Sequence, residues 1–302
     1  MYVFRNDGNL YYNLLPPNTT KKYYTLIGEE EDIKEVKKII DKHSEFIYYN
    51  NKDFYTSHHL KGFIFVVGGD GTILTKANKS MCMFNHNKIV RVHNRVNSLK
   101  SLGYTADITL KNLDKALVDI ERNDYYLQYI SLIQCWSCQE DNSYLLGSAL
   151  NDISIEGKER GSNIMFKASV VLDNKEEFLP TPKCTGLIVT SYYGSPAWNL
   201  SLNGPVIVND TDDILLLDLR ESPLKPDKYV ISGRSTIYIE MLTDSIINVD
   251  KELFQLSKGS KIKINFGDDS GELISFVKTK RTSESLMSKL LRFNKFQYER
   301  LL

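Results

Sequence analysis

Three glycines enclose one aspartate in F-I-F-V-V-G-G-D-G-T-I-L, residues 63–74. Strand formers that empty into G-G-D-G-T let consecutive backbone N–H groups turn inward, a concavity suited to phosphate oxygens. A helix starting just beyond adds the positive end of its dipole. The turn lacks both G-x-x-x-x-G-K-[ST] and G-x-G-x-x-G, so it is neither a Walker-type loop nor a plain dinucleotide fingerprint. Asp70 is electrostatically unfavourable in such a cradle unless it does chemistry there. It could take a proton from an attacking hydroxyl, or help to hold a metal between phosphates. Asp also suits a tight turn by geometry alone. The turn by itself leaves both roles open.

Two later segments carry compatible chemistry. In G-S-A-L-N-D-I-S-I, Asn151 and Asp152 close a strand-like run. An Asn–acid pair offers directional acceptors to a ribose diol, whereas a strand-end turn is the plain alternative. In C-T-G-L-I-V-T-S-Y-Y-G-S-P-A-W-N-L-S-L-N-G-P, residues 184–205, a strand runs into a Ser/Tyr/Gly turn and then a small residue beside an aromatic. Ala197 would let a purine approach and Trp198 would stack on it, although a core tryptophan explains the same residue.

The elements that position these residues fall into two groups. Y-Y-T-L-I (23–27) reads as a buried strand. The following E-E-E-D-I-K-E-V-K-K-I-I places Ile33, Val36, Ile39 and Ile40 at helical spacing, with acids leading and lysines trailing as the helix dipole prefers. Gly62–Val67 is a second buried strand, T-I-L-T-K-A opens a helix, and K-I-V-R-V-H ends a third strand near His93. That alternation marks a parallel α/β unit. After Asp107 comes one helix, N-L-D-K-A-L-V-D-I-E-R. Strand-like runs follow at Tyr125–Cys138, Ser143–Leu150, Ile164–Leu172, Gly186–Thr190, Ile214–Leu219, Thr236–Met241, Ser245–Asp250 and Lys261–Phe266. The junction near 107–111 reads as a hinge between an α/β domain and a β-rich one. The last stretch, from Ser283, reads as an amphipathic helix through Leu286, Leu290 and Phe293 with a packing face.

Bulk properties narrow the function. The 302 residues are 42% hydrophobic, and Lys plus Arg equals Asp plus Glu at 38 each. A chain this long buries a sizeable core as one large domain or two modest ones. Zero net charge argues against nucleic acid as the main partner. No apolar run spans a bilayer, and the first residues carry neither a signal-peptide core nor a transit pattern, so a soluble cytoplasmic protein is expected. Cys135 and Cys138 have a redox-like spacing, but three apart on a strand they face opposite sides and no second pair completes a zinc site. His58 and His59 read as surface residues. No protein metal site is expected.

Taken together and in this order, the three segments resemble the NAD kinase family: G-G-D-G-T at 68–72, N-D at 151–152 and T-G-L-I-V-T-S-Y-Y-G-S-P-A-W at 185–198. The resemblance implies an α/β N-terminal domain with a parallel sheet (1–108), a β-rich C-terminal nucleotide-binding domain (109–266), and a C-terminal segment (267–302) that packs back on the first. It implies transfer of the γ-phosphoryl of ATP, with Mg²⁺, to the 2′-hydroxyl of the adenosine ribose of NAD, giving NADP, and assembly as a homodimer or homotetramer. Asp70 would be the base. Gly68, Gly69, Gly71 and Thr72 would cradle phosphates, and Asn151 and Asp152 would hold the nucleotide. Ser191, Gly194, Ser195, Ala197 and Trp198 would form the adenosine side. The departures are specific: Thr185 stands for the acid before G-L, Tyr192 for a Pro, Asp152 for a Glu, and L-G-Y-T-A-D (102–107) for a glycine-rich loop. Some features, including D-L-R-E-S-P at 218–223, resemble the mitochondrial-type branch of that family. Lipid kinases of the diacylglycerol and sphingosine type share G-G-D-G-T and rank second. A nucleotide-binding regulator without turnover ranks third.

Overall fold

The computed structural model describes residues 2–4, 10–12, 21–49, 62–69, 72, 88–93, 108–139, 142–159, 161–180, 183–207, 214–223 and 226–275. A short antiparallel pair, β1 (Tyr2–Phe4) and β2 (Leu10–Tyr12), precedes the α/β unit. That unit runs β3 (Lys22–Ile27), α1 (Glu30–Ile40), β4 (Phe46–Tyr48), β5 (Phe63–Gly68), β6 (Lys88–His93) and β7 (Ile108–Thr109). All pairings among β3 to β7 are parallel. Helix α1 buries Val36 and Ile40 and carries Glu30, Glu31 and Asp32 in its first turn and Lys37 and Lys38 in its last, as its dipole favours. Helix α2 (Leu113–Glu121) follows a single 3-10 turn in which the Asn112 side chain accepts from the backbone N–H and hydroxyl of Thr109. One apolar cluster joins α1 and α2 to Phe65, Val67, Val90 and Val92 on one face of the parallel strands.

Beyond α2 come β8 (Tyr126–Cys138), β9 (Ser143–Ala149), β10 (Asp152–Gly157), β11 (Phe166–Leu172), β12 (Lys175–Leu179) and β13 (Gly186–Thr190). A four-residue helix α3 (Trp198–Ser201) leads to β14 (Ile214–Arg220), β15 (Lys228–Ser232), β16 (Thr236–Met241), β17 (Ser245–Val249), β18 (Glu252–Leu256) and β19 (Lys261–Ser275). Six of these strands form an antiparallel sheet in the order β15-β14-β13-β10-β17-β18. The others extend the parallel strands into an eleven-stranded sheet. The two sheets pack face to face: Ile153, Leu187, Val189 and Leu217 of the first meet Ile133, Phe166, Ile239 and Ile264 of the second.

The division at residue 108 cuts the chain but not the sheet. Strand β19 pairs antiparallel with β16 and β8 and then, past an irregularity between Phe266 and Ser270, lies parallel to β6 with Glu272 opposite Lys88. The chain thus returns to the first strands by β-pairing, and the expected Lys261–Phe266 strand is longer than its glycine- and aspartate-rich continuation suggested. The final helix, His58, His59 and the L-G-Y-T-A-D loop lie outside the described residues.

Asn151 and Asp152 do not end a strand, contrary to the expectation from G-S-A-L-N-D-I-S-I. Strand β9 stops at Ala149, and Asp152 opens β10. The backbone amides at this break go to a side chain, described below, instead of a neighbouring strand.

Candidate functional site

The glycine turn sits at the carboxyl end of β5, where ligands of parallel α/β sheets bind. The whole of β5 is buried. Gly68 has φ +155°, and a methyl built on it would stand 2.8 Å from both Cβ and Cγ2 of Thr72. The Thr72 N–H donates to the Gly69 carbonyl at 3.0 Å, closing the turn. Asp70 and Gly71 themselves lie outside the described residues. At the end of β3, a methyl on Gly28 would meet the Val67 carbonyl at 2.6 Å, so the exits of β3 and β5 abut.

Asn151 and Asp152 are brought against the 191–198 turn, forty residues later in the chain. The Asn151 carbonyl accepts from the Ser191 N–H at 3.0 Å and the Thr190 hydroxyl at 2.8 Å. The Ser191 hydroxyl donates to the Leu150 carbonyl at 2.6 Å and accepts from the Tyr193 N–H. Gly194 lies on this junction: a methyl there would sit 2.1 Å from the Asn151 oxygen and 2.2 Å from Thr190 Oγ1. The Asn151 side-chain oxygen is buried with no partner among the described residues. A buried acceptor without a donor is unfavourable by about 1–3 kcal/mol, so this atom suits a hydroxyl supplied by a ligand.

Asp250 holds the same segment from below. Its carboxylate accepts from three consecutive backbone amides: Leu150 at 2.5 Å, Asn151 at 3.2 and 3.3 Å, and Asp152 at 3.2 Å. The residue sits in the two-residue β17–β18 hairpin with Lys251, and both have positive φ (42° and 82°). Burial raises the Asp152 carboxyl to about 7, and the neighbouring Asp250 charge acts in the same direction. Burial also raises Asp250, to about 6, against the opposing pull of its three amides and of Lys251.

Trp198 opens α3, half-buried, with the Arg220 guanidinium 5.1 Å from its ring centre. Arg220 also ion-pairs with Glu156 of β10. Lys228 bridges the buried Asp218 and the Leu202 carbonyl, pinning the end of α3 to β14. Ala197 is exposed just before the helix. Ser195, by contrast, is fully buried, and its hydroxyl donates to the Tyr192 carbonyl and accepts from the Ile207 N–H. Its hydroxyl is therefore engaged in shaping the turn. Thr185, half-buried, donates its N–H to the Arg220 carbonyl.

One apolar cluster links the strand of the glycine turn to the Asn151 segment. Ile64 and Val66, on the face of β5 that also carries Gly68, share it with Ile89, Ile130, Leu132 and Leu150, and Tyr193 packs against it. Gly68 thus lies on the same face of β5 as the core that Leu150 and Tyr193 join, with Asn151, Asp152, Ser191 and Gly194 gathered beside it, and Trp198 stands against Arg220. Asp250 and Arg220 were not singled out from the sequence. An aspartate in a hairpin turn and an arginine at a strand end carry no pattern of their own. The C-W-S-C pair resolves as Cys135, fully buried with its thiol pushed up to about 12, and Cys138, half-buried; neither is bonded to another cysteine.

These features define a protein of the NAD kinase fold. The chain aligns with a solved Archaeoglobus fulgidus NAD kinase in complex with ATP over 89% of its own length and 98% of that chain, with TM-score 0.69 and 19% identity. It aligns with yeast NADH kinase complexed with NADH over 93% of each chain, with TM-score 0.71 and 16% identity. In sequence it is 28% identical to an NAD kinase of Erwinia tasmaniensis over 191 residues, 62% of each chain. It is also 28% identical to one of Clostridium kluyveri over 217 residues, 70% of this chain and 72% of the relative. The Erwinia alignment therefore spans less than two thirds of that relative's length. No protein-family model matches. The chain is thus similar in sequence to these NAD kinases and similar in fold to an NAD kinase and an NADH kinase.

Proposed function

We propose that this chain is an ATP-dependent NAD kinase that phosphorylates the adenosine ribose 2′-hydroxyl of NAD to give NADP. The observation that carries this reading is the seating of the 191–198 turn on the Asn151–Asp152 segment, above a core shared with the glycine turn. Asn151 Oδ1 and the Asp152 carboxylate are the acceptors for the ribose hydroxyls, Trp198 stacks on the adenine with Ala197 leaving room for it, and the amides of 68–72 take the phosphates. Asp70 removes the 2′-hydroxyl proton as the oxygen attacks the γ-phosphorus and ADP leaves.

Mg²⁺ belongs to this reading as an ion carried by ATP, since it keeps several waters and is held by substrate phosphates with one or two carboxylates. No group of three potential metal ligands occurs among the described residues, and such an ion needs none. Assembly as a homodimer or homotetramer rests on the family resemblance, and cytoplasmic residence on the sequence carrying no recognisable signal or transit pattern; no described helix is long and apolar enough to cross a membrane. The test is purified protein with ATP, Mg²⁺ and NAD. NADP formation dependent on both substrates supports the proposal. Phosphorylation of a diacylglycerol or sphingosine without NADP, or NAD binding without turnover, overturns it.

A further inference from the structure

We infer that Asp250 is a positioning residue whose ionised carboxylate presents Asn151 and Asp152 to the nucleotide by gathering the backbone amides of Leu150, Asn151 and Asp152. This rests on the nucleotide-holding role proposed above for those two residues. The strand break is the first support. The amides at 150–152 leave the sheet ladder between β9 and β10 and converge on one side chain from the other end of the domain, about a hundred positions later. Three amides aimed at one point form a small anion nest, and a carboxylate with both oxygens free of protons is the acceptor it favours most.

The second support is the fixed anchor. Asp250 is itself buried, and its own N–H returns to the Asp152 carbonyl at 3.3 Å, so the two segments clasp each other in both directions. The hairpin that carries it is held in register from Ser245–Leu256 to Val249–Glu252. The third is what the clasp exposes. With its amides turned toward Asp250, Asn151 directs its carbonyl to Ser191 and Thr190 and retains a side-chain oxygen with no partner among the described residues. Among the described residues, Asp152 and Lys251 are charged groups facing Asp250. Losing the charge of Asp250 therefore removes a repulsion from Asp152 as well as the amide acceptor.

Asp250→Asn keeps the shape but turns an NH₂ toward the amides. The expected result is a KM for NAD raised about 10- to 100-fold, the scale of lost hydrogen bonds to a charged group, with kcat changed less. The acid limb of kcat/KM should move to lower pH, because Asp152 no longer titrates beside a second carboxylate. Unchanged KM and an unchanged limb in a folded Asp250→Asn protein would make Asp250 a turn residue only and overturn the inference. In case that variant does not fold, the ligand-free natural protein supplies a second measurement. The amide proton shifts of Leu150, Asn151 and Asp152 should titrate with one common midpoint above the ordinary carboxylate range. Three unrelated midpoints, or none, would overturn the inference even where NADP is formed. A common midpoint without any NADP formation would overturn the proposed function and leave the clasp intact.

Discussion

Gly194→Ala tests whether the 191–198 turn is seated on Asn151. A methyl at this position would lie 2.1 Å from the Asn151 oxygen and 2.2 Å from Thr190 Oγ1, where ordinary contact begins at 3.4 Å. The turn must therefore retreat by more than ~1 Å, since overlap of this kind forces backbone movement. Such a shift takes the 3.0 Å Ser191 bond and the 2.8 Å Thr190 bond to the Asn151 carbonyl beyond hydrogen-bonding range. At about 1 kcal/mol for each bond and about 1–3 kcal/mol for overpacking, the variant should be destabilised by roughly 3–5 kcal/mol. Displacement by this much should also cost about 100-fold in kcat/KM for NAD. Gly161→Ala is the control. Its φ is +79° with nothing within 4 Å of the added carbon, so only backbone strain of about 1–2 kcal/mol is expected, with NAD kinetics unchanged. Urea unfolding and NADP formation over a range of NAD concentrations read both. If Gly194→Ala unfolded within about 1 kcal/mol of the parent and kept its KM, the seating, and with it the assembled site, would be refuted.

Asp70→Asn should reduce phosphoryl transfer by about 10²–10⁴-fold while NAD binding persists; near-full turnover would remove the base from Asp70. Trp198→Ala should weaken NAD binding by roughly 1–3 kcal/mol, the scale of base–aromatic stacking, measured by calorimetric titration; an unchanged Kd would confine the indole to its contact with Arg220. For pH, the raised carboxyl of Asp152 means that the native state holds a proton the unfolded chain has already released. The Asp152 contribution to stability therefore falls as pH rises from about 4 to about 7, at up to ~1.4 kcal/mol per pKa unit. Urea midpoints of the parent and Asp152→Asn across this range should converge at low pH and separate at high pH. Over the same window kcat/KM for NAD should rise, because the ionised carboxylate is the ribose acceptor. Parallel midpoints with a flat profile would count against that role.

The parallel strands β3, β5 and β6, the two long helices among the described residues and the three motif segments were legible because each carries a local signal: periodicity, dipole-ordered charge, or glycines at a turn. Four strands that carry no such signal, β4, β12, β15 and β18, are the outermost strands of the two sheets. An edge strand buries little, so the period-two pattern that betrays an inner strand is missing; Phe178 on β12 is 77% exposed and Leu253 on β18 69%. The buried β10 was hidden for another reason. G-S-A-L-N-D-I-S-I reads as one run, and its break at 150–151 falls where Asp250 takes the amides. Arg220 was hidden in the same way: its place beside Trp198 comes from the pairing of β13 with β14, which sets Gly186 opposite Arg220. A methyl on Gly186 would meet the Arg220 side chain at 3.2 Å.

The site depends on register more than on any single contact. Strand β8 runs along β19 from Cys138 opposite Lys261 to Tyr126 opposite Ser275, while the far half of β19 sets Leu273 opposite Ile89 of β6. Ile130 and Leu132 reach the cluster of Ile64, Val66 and Leu150 only because this alignment points them to that face. A slip of one residue would turn both to the opposite side. The irregularity between Phe266 and Ser270 lets one strand serve the antiparallel sandwich at one end and the parallel sheet at the other. The spacing between the glycine turn and the Asn151–Asp152 segment is thus governed by the paired strands β5, β6, β19, β8 and β9 between them. On this reading the phosphate and ribose groups meet because the two halves of the chain share a sheet, and substitutions along β8 and β19 should alter nucleotide affinity without touching the nucleotide.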